Sequence, residues 1–345
     1  MLKKTHRNLL LLLLVWLGNA CNQSTPNGEM ATLLASAAQT AFNSANAFAP
    51  RAALMKTDSL LRVSPDPYEQ TGYLFNKAKL YLQLGMEDSS RIILEDLLKN
   101  ELLPLYTNPT AIKKELALTY LRIGERTNCT NNHSAESCIF PIKNGGVHHD
   151  KSGSAKAAEI YSDILQNNPG DLESRWLLNI AYMTMGSYPQ SVPAAYLIPG
   201  LDNDTSSLVK PFSDVAISTG LGNQNQAGGS IVDDFNNDGY LDIVASVWDL
   251  SDKMRFFLNN GKGGFEDRSV PSGLSQLSGG LNIMQTDYNN DGLKDIFVLR
   301  GGWKGKFGRE PNSLLRNNGD GTFTDVTGQA GLLSFHPTQT ATWND

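Results

Sequence analysis

The stretch Asp233–Asp242, "DDFNNDGYLD", returns as Thr286–Asp295, "TDYNNDGLKD". In the first copy Asp234, Asn236, Asp238 and Asp242 are spaced so that one curled loop can aim all four side chains inward, and Asp287, Asn289, Asp291 and Asp295 repeat the arrangement. Hard cations such as Ca²⁺ take roughly six to eight oxygens at about 2.3–2.6 Å. Three carboxylates, one amide oxygen, the backbone carbonyl of Tyr240 or Leu293 and a water supply such a shell. Gly239 and Gly292 sit where the chain must turn sharply, which costs glycine least. Carboxylates about 5 Å apart repel by roughly 3 kcal/mol per pair at an effective dielectric near 20, so the pattern asks for a counter-charge. A metal-free turn rich in Asx residues is the alternative; the duplicated spacing favours the cation.

The D-x-N-x-D-G opening is shared with the EF-hand, which needs a glutamate at its twelfth position. Ala245 and Val298 stand there instead, and the loops close earlier, at Asp242 and Asp295. The flanks "LDIVASV" (241–247) and "KDIFVL" (294–299) are β-branched and apolar, which predicts strands rather than helices.

Outward from the loops, composition shifts near Pro211 to Gly, Asn and Asp with short β runs. The stretches "PFSDVAISTGLG", "GFEDRSVPSGLS" and "TFTDVTGQAGLL" align: Phe212, Phe265 and Phe323 start them, Asp214, Asp267 and Asp325 follow, and Gly220, Gly273 and Gly331 precede a leucine. The intervals are 53 and 58 residues, and the five extra residues fall around "GGWKGKFGREP". Each unit also carries a hairpin, "FFLNNGKGGF" or "LLRNNGDGTF", whose N-N-G and G-x-G pieces suit tight β turns. A period of about 55 residues with several short strands signals a propeller blade.

Before Pro211 the chain reads as helical from Met30 to about Leu201. Small and aromatic places recur at helical spacing: Leu74, Ala78, Tyr81 and Gly85, then Ser90, Leu94 and Leu97; Ala117, Tyr120 and Gly124; Ala157, Tyr161, Ile164 and Pro169; Asn179, Tyr182 and Gly186. These are the places of a tetratricopeptide repeat. Tyr81 and Tyr120 lie 39 residues apart and Tyr120 and Tyr182 lie 62 apart, so an insert over 125–153 interrupts the period.

That insert contains "RTNCTNNHSAESCIFPIKNGGVHHD". In an oxidising exported setting Cys129 and Cys138 are most simply a disulfide, which would contribute roughly 2.5–3 kcal/mol by closing a loop of about ten residues. A metal or redox site drawing on Cys129, His133, Cys138, His148 and His149 is the alternative, although the spacing matches no standard zinc pattern.

At the N-terminus Lys3, Lys4 and Arg7 precede an apolar run from Leu9 to Leu17 and then Cys21. This is an export signal over 1–21, too short for a spanning helix. The cysteine resembles that of a bacterial lipobox, which implies lipidation of Cys21, with Gly18 where leucine is usual. "NQSTPNGE" (22–29) reads as a tether. A length of 345 residues allows two or three domains. The net charge of −6, with no basic stripe, gives nucleic acid no docking surface.

The motifs D-x-N-x-D-G-x-x-D, L-x-N-N-G-x-G-x-F-x-D and A-G-L resemble the FG-GAP/VCBS repeats of integrin-α-like propellers. They resemble more closely the cartilage-acidic-protein group that often carries an ASPIC/UnbV segment. The resemblance covers about Pro211–Asp345, and "SCIFPI" with "RWLLNIAYMTMGSYP" is similar to the N-terminal region of bacterial exported members. It implies structural Ca²⁺ held by Asp234, Asn236, Asp238, Tyr240 and Asp242, and by Asp287, Asn289, Asp291, Leu293 and Asp295. Asp345 aligns with Asp234 and Asp287, so the blades over 211–345 are two complete units and a started third. Such a chain is expected to be the front of a longer protein, and no ASPIC/UnbV segment is visible.

The expected fold is thus α + β and multidomain: tetratricopeptide-like hairpins over 30–201, then an incomplete β-propeller. No nucleophile–base signature, phosphate loop or dinucleotide fingerprint appears. A glycosidase needs two carboxylates of different pKa across a cleft, whereas these are clustered and periodic. The preferred reading is a lipid-anchored scaffold of the cell envelope, in the outer membrane of a Gram-negative bacterium, binding a protein or glycan. Competing readings are an enzyme or redox protein using the Cys/His insert or further blades, and a polysaccharide-binding module with Trp248 and Trp303 as stacking platforms.

Overall fold

The computed structural model describes residues 25–100, 107–130, 134, 136–137, 139–202, 212–223 and 226–344. The export signal with Cys21, and also His133, Cys138 and Asp345, lie outside the described residues. The chain divides into two compact units, one spanning Phe42–Ile217 and the other combining the chain up to Ala41 with that from Ser218 onward.

The helices are α1 (Pro26–Ala41), α2 (Pro50–Val63), α3 (Pro67–Gln83), α4 (Glu87–Leu98), α5 (Pro109–Cys129), α6 (Ser152–Asn167) and α7 (Leu172–Thr184). From α2 to α7 each packs on the next. Their starts are written locally. Asp66 Oδ1 accepts Tyr68 N–H at 3.0 Å and Asn108 Oδ1 accepts Thr110 N–H at 2.9 Å, each just ahead of a proline at the first helical position. Asp171 Oδ1 caps α7 through Ser174 N–H at 2.9 Å.

The recurring tyrosine–glycine pairs have two fates. After α3, Gly85 takes φ 70°, Met86 N–H donates to Tyr81 O at 2.8 Å, and Gly85 N–H donates to Leu82 O at 3.1 Å. After α7, Gly186 takes φ 69°, with Ser187 N–H on Tyr182 O at 2.9 Å and Gly186 N–H on Met183 O at 2.8 Å. Both are left-handed glycine stops that satisfy the last carbonyls of a helix. Gly124, paired in sequence with Tyr120, lies inside α5, which runs on to Cys129 and takes in the first residues of the expected insert. Its partner is Gly153 of α6: a Cβ on Gly153 would stand 2.5 Å from Tyr120 O and 3.0 Å from Gly124 N. Here the small residue serves a close helix crossing.

Two apolar clusters fill the helical unit. Ala78, Leu94, Leu97, Ile112 and Leu116 form one, and residues of α5, α6 and α7 around Tyr161, Leu165 and Leu178 form the other. Tyr120 and Ile160 pack against both, so the apolar core is continuous.

The second unit holds two four-stranded antiparallel sheets, each a simple meander. The first is β1 (Ala227–Asp233), β2 (Asp242–Val247), β3 (Arg255–Asn259) and β4 (Phe265–Asp267); the second is β5 (Asn282–Thr286), β6 (Asp295–Leu299), β7 (Ser313–Asn317) and β8 (Phe323–Asp325). Registers repeat: Asp233 pairs with Asp242 and Thr286 with Asp295, while Ala245 pairs with Arg255 and Val298 with Ser313. Val298 follows Ala245 by 53 residues and Ser313 follows Arg255 by 58, so the insertion lies between β6 and β7, over the expected segment. The sheets meet through β1 and β5, where Gly228 and Gly229 let the backbones approach. A Cβ on Gly229 would stand 2.7 Å from Ile283 N.

Ile231, Val244 and Phe256 of the first sheet and Ile283, Val298, Leu315 and Phe323 of the second share one core. At its centre Phe235, Phe256 and Phe323 stack edge-to-face with centroids 5.8–6.1 Å apart. Past β8, Thr338 bridges Gly301 and Trp343 packs edge-on against Phe297 at 5.6 Å. The result is a helical region followed by a partial, propeller-like β unit.

Helix α1 departs from both expectations placed on it. Pro26–Glu29, read as tether, is its first turn, and Met30–Ala41, grouped with the helical half, belongs to the sheet unit. Asn27 Nδ2 donates to Phe323 O at 2.9 Å and Asn27 Oδ1 accepts Asp325 N–H at 2.7 Å, so one side chain satisfies the outward edge of β8. Met30 and Leu34 enter the core between the sheets. Small polar residues suit a tether and a helix start equally, so composition alone misleads here.

The two sheets also differ in one charge pair. In the first, Arg255 of β3 reaches Asp267 at 3.5 Å. In the second, Ser313 holds the place of Arg255, and a buried arginine, Arg300, stands where the first sheet has Val247. Arg300 donates through Nε to Ser278 O (2.8 Å) and through Nη1 to Pro311 O (2.9 Å) and Ser313 Oγ (2.8 Å). Burial pulls its guanidinium down to about 10, against the opposing charges of Asp325 and Glu310.

Candidate metal centre

Each acidic loop is the turn from the first to the second strand of its sheet, and the two share one internal hydrogen-bond scheme. Asp234 Oδ1 accepts Asp238 N–H at 3.1 Å and Oδ2 accepts Gly239 N–H at 2.8 Å. Asp287 does the same for Asp291 N–H at 3.1 Å and Gly292 N–H at 2.9 Å. Asn236 and Asn289 each accept the same N–H through Oδ1 at 3.2 Å and donate Nδ2 to Asp238 Oδ2 or Asp291 Oδ2 at 2.8 Å. Asp238 Oδ1 takes Tyr240 N–H at 2.8 Å, and Asp291 Oδ1 takes Leu293 N–H at 2.9 Å.

The paired asparagines of "NND" divide the work. Asn236 and Asn289 use their side chains, whereas Asn237 and Asn290 supply left-handed backbone at φ 57° and 60°, a region that asparagine tolerates. Gly239 and Gly292 follow at φ 87° and 85°. Tyr240 and Leu293, read as carbonyl donors, lay their side chains over Gly261 and Gly319 of the hairpins.

Asp242 and Asp295 close the loops from buried positions. Asp242 accepts Phe235 N–H at 3.1 Å and Asn259 N–H at 2.8 Å; Asp295 accepts Tyr288 N–H at 3.1 Å and Asn317 N–H at 2.7 Å. Burial raises both carboxyls above their ordinary range, the N–H donors oppose it, and the neighbouring loop aspartates push the same way as burial. Among the described residues none of the loop aspartates forms an ion pair with a lysine, arginine or histidine.

Sequence reasoning missed Asn259 and Asn317. Besides holding the closing aspartates, they donate Nδ2 to Leu241 O (3.0 Å) and Lys294 O (3.2 Å) and accept Gly261 N–H (2.9 Å) and Gly319 N–H (3.0 Å). Their signal was the N-N-G of each hairpin, which reads as turn chemistry and carries a second duty.

As they stand, the loop oxygens serve their own backbone, and among the described residues no three His, Cys, Asp or Glu side chains form a group that could hold a metal. The donor set nonetheless has hard-cation chemistry: carboxylates, an amide and a carbonyl, with no basic partner. Each carboxylate oxygen carries two lone pairs, so one N–H bond leaves it free to accept again.

The described part of the Cys/His insert is tied to the helices around it. His148 is buried, with Nδ1 3.2 Å from Ser154 Oγ, its N–H on Thr184 O at 2.8 Å, and Thr184 Oγ1 donating to Ser154 Oγ at 2.8 Å. Asn128 pins the returning chain through Asp150 O and N–H, both at 2.9 Å. His149 is exposed, and Cys129 ends α5. Of the expected stacking platforms, Trp248 has Lys304 Nζ 4.5 Å from its ring centroid, while Trp303 is exposed at φ 70°.

The site and fold define a class of repeat protein: four-stranded meanders, each with an acidic first turn. Residues 234–298 and 287–344 match the FG-GAP-like repeat, so the chain carries an FG-GAP-like repeat region over 234–344 downstream of a helical region. The match suggests an adhesion- or interaction-type domain in general. No curated protein matches the chain.

Proposed function

We propose that the chain is an exported, lipid-anchored interaction protein whose β unit is braced by Ca²⁺ in the two acidic loops. The observation that carries the Ca²⁺ reading is the duplication: two turns, in two sheets, repeat the same hydrogen-bond scheme around three carboxylates with no basic partner among the described residues. Asp234, Asn236, Asp238, Asp242 and the Tyr240 carbonyl would hold one ion, and Asp287, Asn289, Asp291, Asp295 and the Leu293 carbonyl the other. Bound Ca²⁺ supplies charge neutralisation and stiffening of the turn. The braced sheets, with tetratricopeptide-like hairpins upstream, would present a surface to a protein or glycan at the cell envelope.

The anchor rests on the sequence around Cys21. Among the described residues no helix is long and apolar enough to cross a membrane. Cys21→Ser is expected to move the protein from the membrane fraction to the soluble one.

The Ca²⁺ reading is tested by melting the full chain with EDTA and with Ca²⁺. Ligand at 100 times its Kd stabilises by about 2.7 kcal/mol per site, which at roughly 2–4 °C per kcal/mol raises the β unit's melting point by on the order of 10 °C. An unchanged melting point at millimolar Ca²⁺ rejects it.

A further inference from the structure

The hydrogen bonds of Asn317 cross from one repeat to the other. Its N–H donates to Asp295 Oδ1 at 2.7 Å and its Nδ2 to Lys294 O at 3.2 Å, both in the second loop. The same Nδ2 donates to Phe235 O at 2.7 Å, inside the first loop. Asn317 Oδ1 accepts Gly319 N–H at 3.0 Å, which fixes the amide so that its nitrogen faces the two carbonyls. The residue is 1% exposed, so water does not take over these bonds. Phe235 is itself clamped: its N–H is on Asp242 Oδ2 and its ring lies in the aromatic triad. Its neighbours in the chain are Asp234 and Asn236, two of the first loop's oxygen donors. Asn259, the equivalent residue one repeat earlier, bonds Asp242, Leu241 and Gly261, all within its own repeat.

We propose that Asn317 couples the two acidic loops, so that Ca²⁺ in either one raises the affinity of the other. The inference rests on reading the loops as Ca²⁺ sites. An ion in the second loop fixes Asp295 and the backbone at Lys294, and these fix Asn317. Asn317 then holds the Phe235 carbonyl and with it the backbone between two donors of the first loop. The ordering is spent once and used twice, and linkage makes the effect reciprocal. Asn317 is a positioning residue: it offers the ion no atom and acts through Phe235 and Asp295.

The test uses the full chain and Ca²⁺ alone, followed by calorimetry. Disabling the second loop with Asp287→Asn and Asp291→Asn leaves the first loop to report by itself. Relative to the intact chain this is expected to weaken Ca²⁺ binding at the first loop by about fivefold or more, whereas in the Asn317→Ala background the same two substitutions are expected to leave first-loop affinity unchanged. Conversely, with the first loop disabled by Asp234→Asn and Asp238→Asn, Asn259→Ala is expected to leave the second loop's affinity unchanged. An equal loss of first-loop affinity on disabling the second loop, with and without Asn317, overturns the coupling.

If Asn317→Ala does not fold, Asn317→Leu keeps the approximate size and removes the donor without adding a charge, and the same comparison applies. A second readout is amide exchange over 234–240 in the chain whose first loop is disabled: Ca²⁺ slows it when Asn317 is present and leaves it unchanged in the variant. Slowing in both overturns the coupling. Wild-type chain that takes up no Ca²⁺ overturns the loop reading and the coupling together. Uptake by two independent loops overturns the coupling alone.

Discussion

Replacing Asn27 by alanine removes the single side chain that satisfies both the Phe323 carbonyl and the Asp325 N–H on the edge of β8. The site is buried, so both backbone groups lose their partner away from water. A buried polar group left unpaired costs roughly 1–3 kcal/mol; two such groups, partly relieved by water entering the space left by the amide, give about 2–4 kcal/mol. At roughly 2–4 °C per kcal/mol for a unit of this size, the melting transition of the sheet unit should fall by about 5–15 °C. Scanning calorimetry of the full chain reads this, with Thr32→Ala as the control: Thr32 is on the same helix, is exposed, and donates only to Gly28 O one turn back. Exposed substitutions of that kind stay within about 0.5 kcal/mol. An Asn27→Ala transition that coincides with that of Thr32→Ala refutes the docking of α1 on β8. A loss of the transition altogether, with Thr32→Ala intact, means that α1 is needed for the sheets to fold.

Three further outcomes are expected. Gly153→Ala forces a methyl against Tyr120 O and should destabilise the helical unit by about 1–3 kcal/mol, read by denaturant titration; an unchanged midpoint denies the close crossing of α5 and α6. Lys304→Met leaves Glu310, its buried partner at 2.8 Å, without its ion-pair partner, and should cost the sheet unit roughly 3–5 kcal/mol. Adding Glu310→Leu should recover most of that loss, and failure to recover rejects the pair as its cause. Burial holds the His148 imidazole below its ordinary value, with Glu125 and Asp150 opposing. The unfolded chain therefore takes its proton first, and the stability of the helical unit should fall as pH drops from about 6.5 toward the lower folded value and then level. His148→Gln should flatten that segment of the melting-against-pH curve; an equal slope in the variant assigns it elsewhere.

Much of the β unit is legible in the chain because its cues are local. Strand flanks such as "LDIVASV" and turns such as "NNG" fix their structure within a few residues, and a repeat states each cue twice. That the acidic residues form a tight turn between two strands was readable for the same reason. What escaped depends on distant partners. Nothing near Asn27 announces that it will meet Phe323, and nothing near Asn317 announces Phe235. Gly124 carries the same local signal as Gly85 and Gly186, yet "ERTN" continues its helix and Gly153 supplies a reason for smallness that lies a whole insert away. Arg300, a charge at the end of an apolar strand, reads as surface until Ser278, Pro311 and Ser313 gather around it.

The change of address of one arginine has a consequence for how the two modules can be exchanged. Asp267 keeps its cation on the adjacent strand, in the open; Asp325, beside α1, faces the charge of Arg300, just past the end of the inner strand β6. Copying either module's residue alone into the other would bury a charge without company or strand a carboxylate, and Arg300 moved together with Ser313 would still leave behind the Ser278 and Pro311 carbonyls that it bonds. The modules therefore are not interchangeable copies: each is fitted to its own place in the series by where it keeps its guanidinium.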